Sequence, residues 1–117
     1  MILITGGKYQ GKLAFAEEMV SVQFDACREK VDIMDNCDQM VRSQVREGLS
    51  IDEIVGHWAE MSQGNKIMIF NEVSMGVVPM DKSDRIFRET CGKVSTMLAR
   101  SANEVYRVFC GVALRIK

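Results

Sequence analysis

The feature that most restricts how this chain can fold lies at its start, where the apolar residues 1–4 (MILI) run through Thr5 into GGKYQGK at residues 6–12. A continuous apolar run of this length, closed by glycines, suits a strand buried on both faces, as in a parallel sheet. From residue 12 to about residue 24, Leu13, Phe15, Ala16, Met19, Val20 and Val22 cover a wide helical stripe, with Glu17 and Glu18 on the remaining face. A helix packed on a sheet therefore follows directly. The loop between them satisfies GxxxxGK with a strand before it and a helix after it, the context that gives the pattern meaning. N–H groups of such a loop and the helix N-terminus form a concave nest for polyphosphate, and the Lys12 ammonium neutralises the outer phosphates. Gly6, Gly7, Lys8, Tyr9, Gln10, Gly11, Lys12 and Leu13 are the candidate phosphate-binding residues. A plain glycine-rich turn with a solvated Lys12 would give the same string. The position after Lys12, where a Ser or Thr hydroxyl ligates Mg²⁺ in such loops, holds Leu13, which offers no ligand. Any Mg²⁺ would be held by carboxylates, water and phosphate.

Further on, strands and helices alternate. Residues 31–35 (VDIMD) read as a second short strand, after which Met40, Val41 and Val45 fall at roughly helical intervals as far as Gly48. Ser50 followed three residues later by Glu53 is a capping-box pattern. Ile51, Ile54, Val55, Trp58 and Met61 form the buried face of the helix it opens, and Gly64 closes that helix. Residues 66–70 (KIMIF) are a third strand, and residues 71–79 (NEVSMGVVP) a loop with the single Pro. Asp81 can cap a helix running to about Ser101, in which Phe87, Cys91, Val94 and Leu98 recur on one face. Residues 104–110 then form a strand, with residues 112–116 a last strand at an edge, one that could run antiparallel. This alternation predicts an α/β domain with a mostly parallel sheet, and 117 residues leave room for one such domain.

Charge narrows the ligands. Fifteen Lys and Arg against sixteen Asp and Glu leave a net charge of −1 and a pI near 5.8. No overall field draws the chain to nucleic acid or an anionic membrane, so polyanion binding must be local. No apolar run approaches the ~18 residues of a membrane span, and the N-terminus lacks the basic region of a signal peptide, so a cytoplasmic protein is expected. Cys27, Cys37, Cys91 and Cys110 contain no CxxC pair and read as reduced, mostly buried thiols.

In an open parallel sheet, ligands bind beyond the carboxyl ends of the strands. Here those ends lead to Gly6, to Asp35, and to Asn71 and Glu72. If the strands adjoin, both carboxylates face the phosphate pocket, one to bind Mg²⁺ through water and the other to orient a nucleophile. Either alone could equally be a solvated strand end. Arg85 and Arg88, i and i+3 on the last helix, could clamp a phosphate or pair with Asp84 and Glu89. His57 has no ligand set around it in sequence and takes a surface or packing role.

With these segments placed, the chain resembles the adenosylcobinamide kinase / adenosylcobinamide-phosphate guanylyltransferase family of cobalamin biosynthesis. The family block close to NEVGxGIVP is matched by Asn71, Glu72, Val73, Gly76, Val77, Val78 and Pro79. The helix of the form RxFRDxxGxxNQxLA is matched by Arg85, Phe87, Arg88, Glu89, Gly92, Leu98 and Ala99, and the terminal IK by Ile116 and Lys117. The N-terminal MILITGGKYQGK parallels the family's strand and P-loop, and DNCDQMV at residues 35–41 its acidic strand end. Departures are Leu13 for the P-loop hydroxyl, Ser74 for a Gly, and Ser95 and Thr96 for Asn-Gln. Where the family has a further strand and a long helical stretch with the histidine that becomes guanylylated, this chain passes to Asp35 with no His.

The resemblance implies a P-loop NTPase-like (RecA-like) three-layer domain, shortened, spanning residues 1–117. It implies a purine nucleotide, ATP or GTP, bound at residues 6–12, and phosphoryl transfer to a cobinamide hydroxyl with guanylyltransferase activity lost. In that scheme Lys12 stabilises the β- and γ-phosphates and Asp35 holds Mg²⁺ through water. Glu72 orients or deprotonates the hydroxyl, and Arg85 or Arg88 neutralises charge. It also implies a homo-oligomer, a trimer. The alternative is a non-catalytic paralogue acting as partner or regulator of a full-length family enzyme, which Leu13 and the missing histidine segment favour.

Overall fold

The computed structural model describes residues 1–24, 30–72 and 82–117. In chain order the elements are β1 (Ile2–Gly6), α1 (Lys12–Met19) continued by a π-helical turn (Val20–Phe24), β2 (Asp32–Met34), α2 (Cys37–Arg46), α3 (Ile51–Met61), β3 (Lys66–Asn71), α4 (Lys82–Ser101), β4 (Glu104–Phe109) and β5 (Val112–Arg115). The strands form one sheet in the order β2-β3-β1-β4-β5. β1 lies parallel to both β3 and β4, β2 is parallel to β3, and only the β4–β5 pair is antiparallel. The α/β architecture, the mostly parallel sheet and the antiparallel edge strand are as the sequence predicts.

The layers follow from the direction of the chain. From β1 it moves to the β2 edge, then returns through β3 and crosses to β4 on the far side of β1. Right-handed crossovers running in opposite directions put their helices on opposite faces. Two apolar clusters show this. Ile2, Ile4, Ile67, Ile69 and Val108 pack with Ala16 and Met19 of α1. Leu3, Met68, Phe70 and Val105 pack on the other face with Val41, Ile54, Trp58, Phe87, Cys91, Val94 and Leu98 from the three later helices. Because β1 and β3 are covered on both sides, their sequences are continuous apolar runs rather than alternating ones.

Ser50 caps α3 with one half of the capping-box pattern: its Oγ accepts the Glu53 N–H at 3.2 Å, while the Glu53 carboxylate accepts from the Ser50 hydroxyl at 3.0 Å. Trp58 is fully buried, and its Nε1–H donates to Gln44 Oε1 at 2.8 Å. The Gln44 amide nitrogen lies 2.7 Å from Nδ1 of the exposed His57, which thus helps join α2 to α3. Cys37 and Cys91 are buried free thiols, each pushed up to about 12 by desolvation, whereas Cys110 is exposed.

Some local expectations need correction. The buried face of α1 consists of Lys12, Ala16 and Met19 only, while Leu13 is 41% and Val22 72% exposed. These three, at i, i+4 and i+7, form the fully covered line, Phe15 is only partly buried against Tyr106 of β4, and no second helix among the described residues flanks α1 to cover the sides of the stripe. α2 starts at Cys37 rather than near Met40 and buries Cys37, Asp38 and Val41, a start concealed by its polar residues. β2 ends at Met34, so Asp35 follows the strand, and β4 ends at Phe109, with Cys110 at φ 50° in the turn to β5. Asp81 as a cap, Cys27 and residues 73–79 of the predicted loop lie outside the described residues. No helix among the described residues is long and apolar enough to cross a membrane.

Candidate functional site

The parallel strands β1, β2 and β3 end on one edge of the sheet, and two walls rise there. The first is the glycine-rich loop. At Gly6 (φ 154°) a Cβ would lie 2.4 Å from the Val108 carbonyl oxygen, so only glycine lets β1 leave the sheet this close to β4. Tyr9, at φ 60°, and Gly11, at φ 90°, turn the chain back onto α1. Gln10 pins the loop to the β4–β5 turn: its Oε1 accepts the Cys110 N–H at 2.6 Å and its carbonyl the Gly111 N–H at 2.9 Å. Lys12 is 6% exposed, and its Nζ donates to the Gly7 carbonyl. Burial lowers its pKa, opposed by the negative charges of Asp35, Asp38 and Glu72. A buried ammonium with a loop carbonyl as partner and carboxylates nearby can bind an incoming anion without first shedding much water.

The second wall is the start of α2 together with the end of β3. Asp35 Oδ1 accepts the Asn36 N–H at 2.8 Å. Asn36, left-handed at φ 52°, presents Oδ1 to Asn71 Nδ2 at 3.3 Å. Asp38, 1% exposed, accepts from Asn71 Nδ2 at 3.0 Å, from the Asn71 N–H at 3.3 Å and from Gln39 Nε2 at 3.1 Å. Asn71 pairs with Gly6 in the β1–β3 register, and the next N–H, of Glu72, donates to the Gly6 carbonyl at 2.9 Å. The walls are thus tied together at their base.

Between them lies a cavity of about 620 Å³, lined by residues 8–14 on one side and by Asp35, Asn36, Gln39 and Asn71 on the other. Of the sequence-predicted residues, Lys8, Tyr9, Gln10, Gly11, Lys12, Leu13 and Asp35 line it. Gly6 and Gly7 form the base of the loop. Glu72 instead opens into an adjoining cavity of about 320 Å³ with Thr5, Arg88 and Ser95. There it makes a two-point ion pair with Arg107, at 2.9 and 3.3 Å. Arg85 is on the exposed side of α4 and lines neither cavity. Nearby, Asp84 pairs with Arg42 at 3.2 Å and Glu89 with Lys93 at 3.6 Å. A larger, open groove of about 730 Å³ runs along α4 past Arg88, Gly92, Met97 and Arg100, away from the loop.

Sequence reasoning passed over Asp38, Asn36, Gln39 and Arg107. The available signal was an acidic residue in the first turn of a helix that begins just after a strand end. Among the described residues, no three His, Cys, Asp or Glu converge on a metal position. Mg²⁺, which takes one or two carboxylates and completes its shell with phosphate oxygens and water, fits Asp35 beside the loop, with Leu13 adding nothing.

A strand entering a glycine-rich loop, a helix whose first residue is a buried lysine, and parallel neighbours on both sides of that strand define an α/β domain of P-loop type. A family model described as cobinamide kinase / cobinamide phosphate guanyltransferase matches residues 31–116, and the chain belongs to this family. The bifunctional adenosylcobalamin biosynthesis protein CobU of Escherichia coli (strain K12) is 43% identical over 51 residues. The protein of the same name from Salmonella typhimurium (strain LT2) is 41% identical over 51 residues. Each match covers 44% of this chain and 28% of the relative. The glycine-rich loop precedes the residues that the family model matches.

Proposed function

We propose that the cavity between the loop and α2 binds the polyphosphate of ATP or GTP, and that the chain transfers the terminal phosphoryl group to a hydroxyl of a cobinamide. The observation that carries this is Lys12, a buried ammonium on the first turn of α1, facing the cavity across from Asp35. Loop N–H groups and Lys12 bind the β- and γ-phosphates and stabilise the charge that develops on the transferring oxygens. Asp35 is the residue that would hold Mg²⁺, which when bound neutralises and orients the phosphate oxygens. Glu72, fixed by Arg107, orients the acceptor hydroxyl in the adjoining cavity, where Arg88 adds positive charge. Guanylyl transfer is not part of the proposal, since the only histidine, His57, is engaged with Gln44 between α2 and α3. The chain acts in the cytoplasm as a homo-oligomer, a trimer in this proposal.

Calorimetric titration of ATP and of GTP into wild type and Lys12→Ala tests the site. Saturable binding by wild type alone is expected, and no heat with either nucleotide at millimolar concentration overturns the proposal. Formation of cobinamide phosphate, followed by mass spectrometry, tests the acceptor.

One observation favours a second reading, a non-catalytic partner or regulator of a full-length family enzyme. Leu13 stands where the metal-ligating hydroxyl belongs and its side chain is partly solvent-facing. Co-expression with such an enzyme followed by size exclusion decides it: a stable mixed oligomer supports the partner role and complete separation refutes it.

A further inference from the structure

Asp38 is a buried acid for which the proposed chemistry has no use. An acidic residue in the first turn of a helix ordinarily offsets the helix dipole from a solvated position. Asp38 is 1% exposed, and its Oδ1 is directed to another element, taking both the backbone N–H and the side-chain Nδ2 of Asn71 on β3. The same Asn71 Nδ2 also donates to Asn36 Oδ1 at 3.3 Å. Both hydrogens of the Asn71 amide group are thereby committed to the α2 side, to two acceptors that cannot themselves donate from those oxygens. This fixes which way the amide is turned. Asn71 lines the loop cavity, so the one group it can offer a ligand there is an acceptor, Oδ1. Asn36 joins the arrangement from a left-handed backbone position at φ 52°, a conformation that Asn adopts more readily than most residues.

We propose that Asp38 is a positioning residue of the loop cavity: through its paired hydrogen bonds it fixes the Asn71 side chain with Oδ1 toward the ligand, and it anchors the end of β3 beside Gly6. The inference rests on the proposed nucleotide site for its functional consequence, while the orientation of Asn71 stands on the hydrogen bonds alone. The group received by Asn71 Oδ1 is a hydrogen-bond donor of the bound nucleotide or of its hydration shell. A bare phosphate oxygen is repelled there.

The test uses Asp38→Asn, Asn71→Asp and the double exchange Asp38→Asn with Asn71→Asp, in which carboxylate and amide trade places and their hydrogen bond is restored. In the nucleotide-free protein, the Asn71 side-chain NH₂ resonances of wild type are expected to be shifted by the charged acceptor and slow to exchange with solvent, and in Asp38→Asn to lose both properties. With ATP or GTP, each single variant is expected to bind at least about tenfold more weakly, a loss of about 1.4 kcal/mol. The double exchange should restore a shifted, slowly exchanging side-chain NH₂ pair, now at position 38, while the carboxylate it places on the cavity keeps nucleotide binding weak. Resonances unmoved in Asp38→Asn, or single variants that bind as tightly as wild type, overturn the inference. If wild type binds neither nucleotide, the proposed function fails, and the resonances still decide the orientation of Asn71.

Discussion

The two walls of the loop cavity are built by different physics. The loop wall is held by backbone: an αL turn at Gly11, a glycine at position 6 against the Val108 carbonyl, and hydrogen bonds from the β4–β5 turn to Gln10. The α2 wall is held by side chains, with Asp38, Asn36 and Asn71 satisfying one another across thirty-three residues of sequence between Asp38 and Asn71. A backbone-built wall tolerates almost any side chain at its variable positions but no added atom where two strands touch. A side-chain wall tolerates small geometric changes but depends on each partner's chemistry, since a buried polar group left unpaired costs about 1–3 kcal/mol.

Gly6→Ala attacks the loop wall where it has least slack. The new methyl meets the Val108 carbonyl at 2.4 Å, so β1 and β4 must part, and a loss of at least about 3 kcal/mol is expected in urea denaturation. Gln10→Ala leaves the fold intact and removes one tie to the β4–β5 turn. A loss of about 1 kcal/mol is expected, with faster amide hydrogen exchange at Cys110 than in wild type.

Lys12 sits between the walls, and its replacement separates stability from function. Because burial lowers its pKa, the unfolded chain holds the proton more readily between the folded value and the ordinary 10.5, and wild-type stability rises with pH across that window. Lys12→Met removes the buried ammonium. At neutral pH it is expected to be more stable than wild type by about 1 kcal/mol, an advantage that shrinks toward pH 10.5, while nucleotide binding is lost. Thermal melts across pH, with and without nucleotide, check both. The smallest structural effect is expected at Leu13→Ser, whose side chain is 41% exposed. Stability should change by less than about 1 kcal/mol, and the added hydroxyl should tighten Mg²⁺-dependent nucleotide binding several-fold by calorimetry.

The contrast between the walls also explains what could be read from the sequence. GxxxxGK between an apolar run and a helix was legible because backbone geometry is enforced locally by glycine, and the flanking periodicities identify strand and helix without tertiary information. The alternation of strands and helices and the face of α4 were legible for the same reason, with Phe87, Cys91, Val94 and Leu98 all buried, whereas the order β2-β3-β1-β4-β5 across the sheet is set by tertiary contacts that no local pattern reports. The role of Asp38 was not legible, since nothing within α2 distinguishes a buried acid that meets Asn71 from a solvated first-turn carboxylate. Leu13 and Val22 looked like core because hydropathy reports what could be buried, whereas the single helix on that face buries only the line through Lys12, Ala16 and Met19. Glu72 follows the end of β3 as its place in sequence indicates, yet it opens into the adjoining cavity, and its partner Arg107 comes from β4, thirty-five residues on.

Polyphosphate bound between these two walls, as proposed, would touch both of them. Backbone and side-chain amide NMR of the isotope-labelled protein, titrated with ATP or GTP in the presence of Mg²⁺, tests this placement most directly. Saturable shifts concentrated at residues 8–14 and at Asn36, Gln39 and Asn71, abolished in Lys12→Met, are expected. Shifts confined to the groove along α4 near Gly92 and Met97, or unchanged by Lys12→Met, would contradict it.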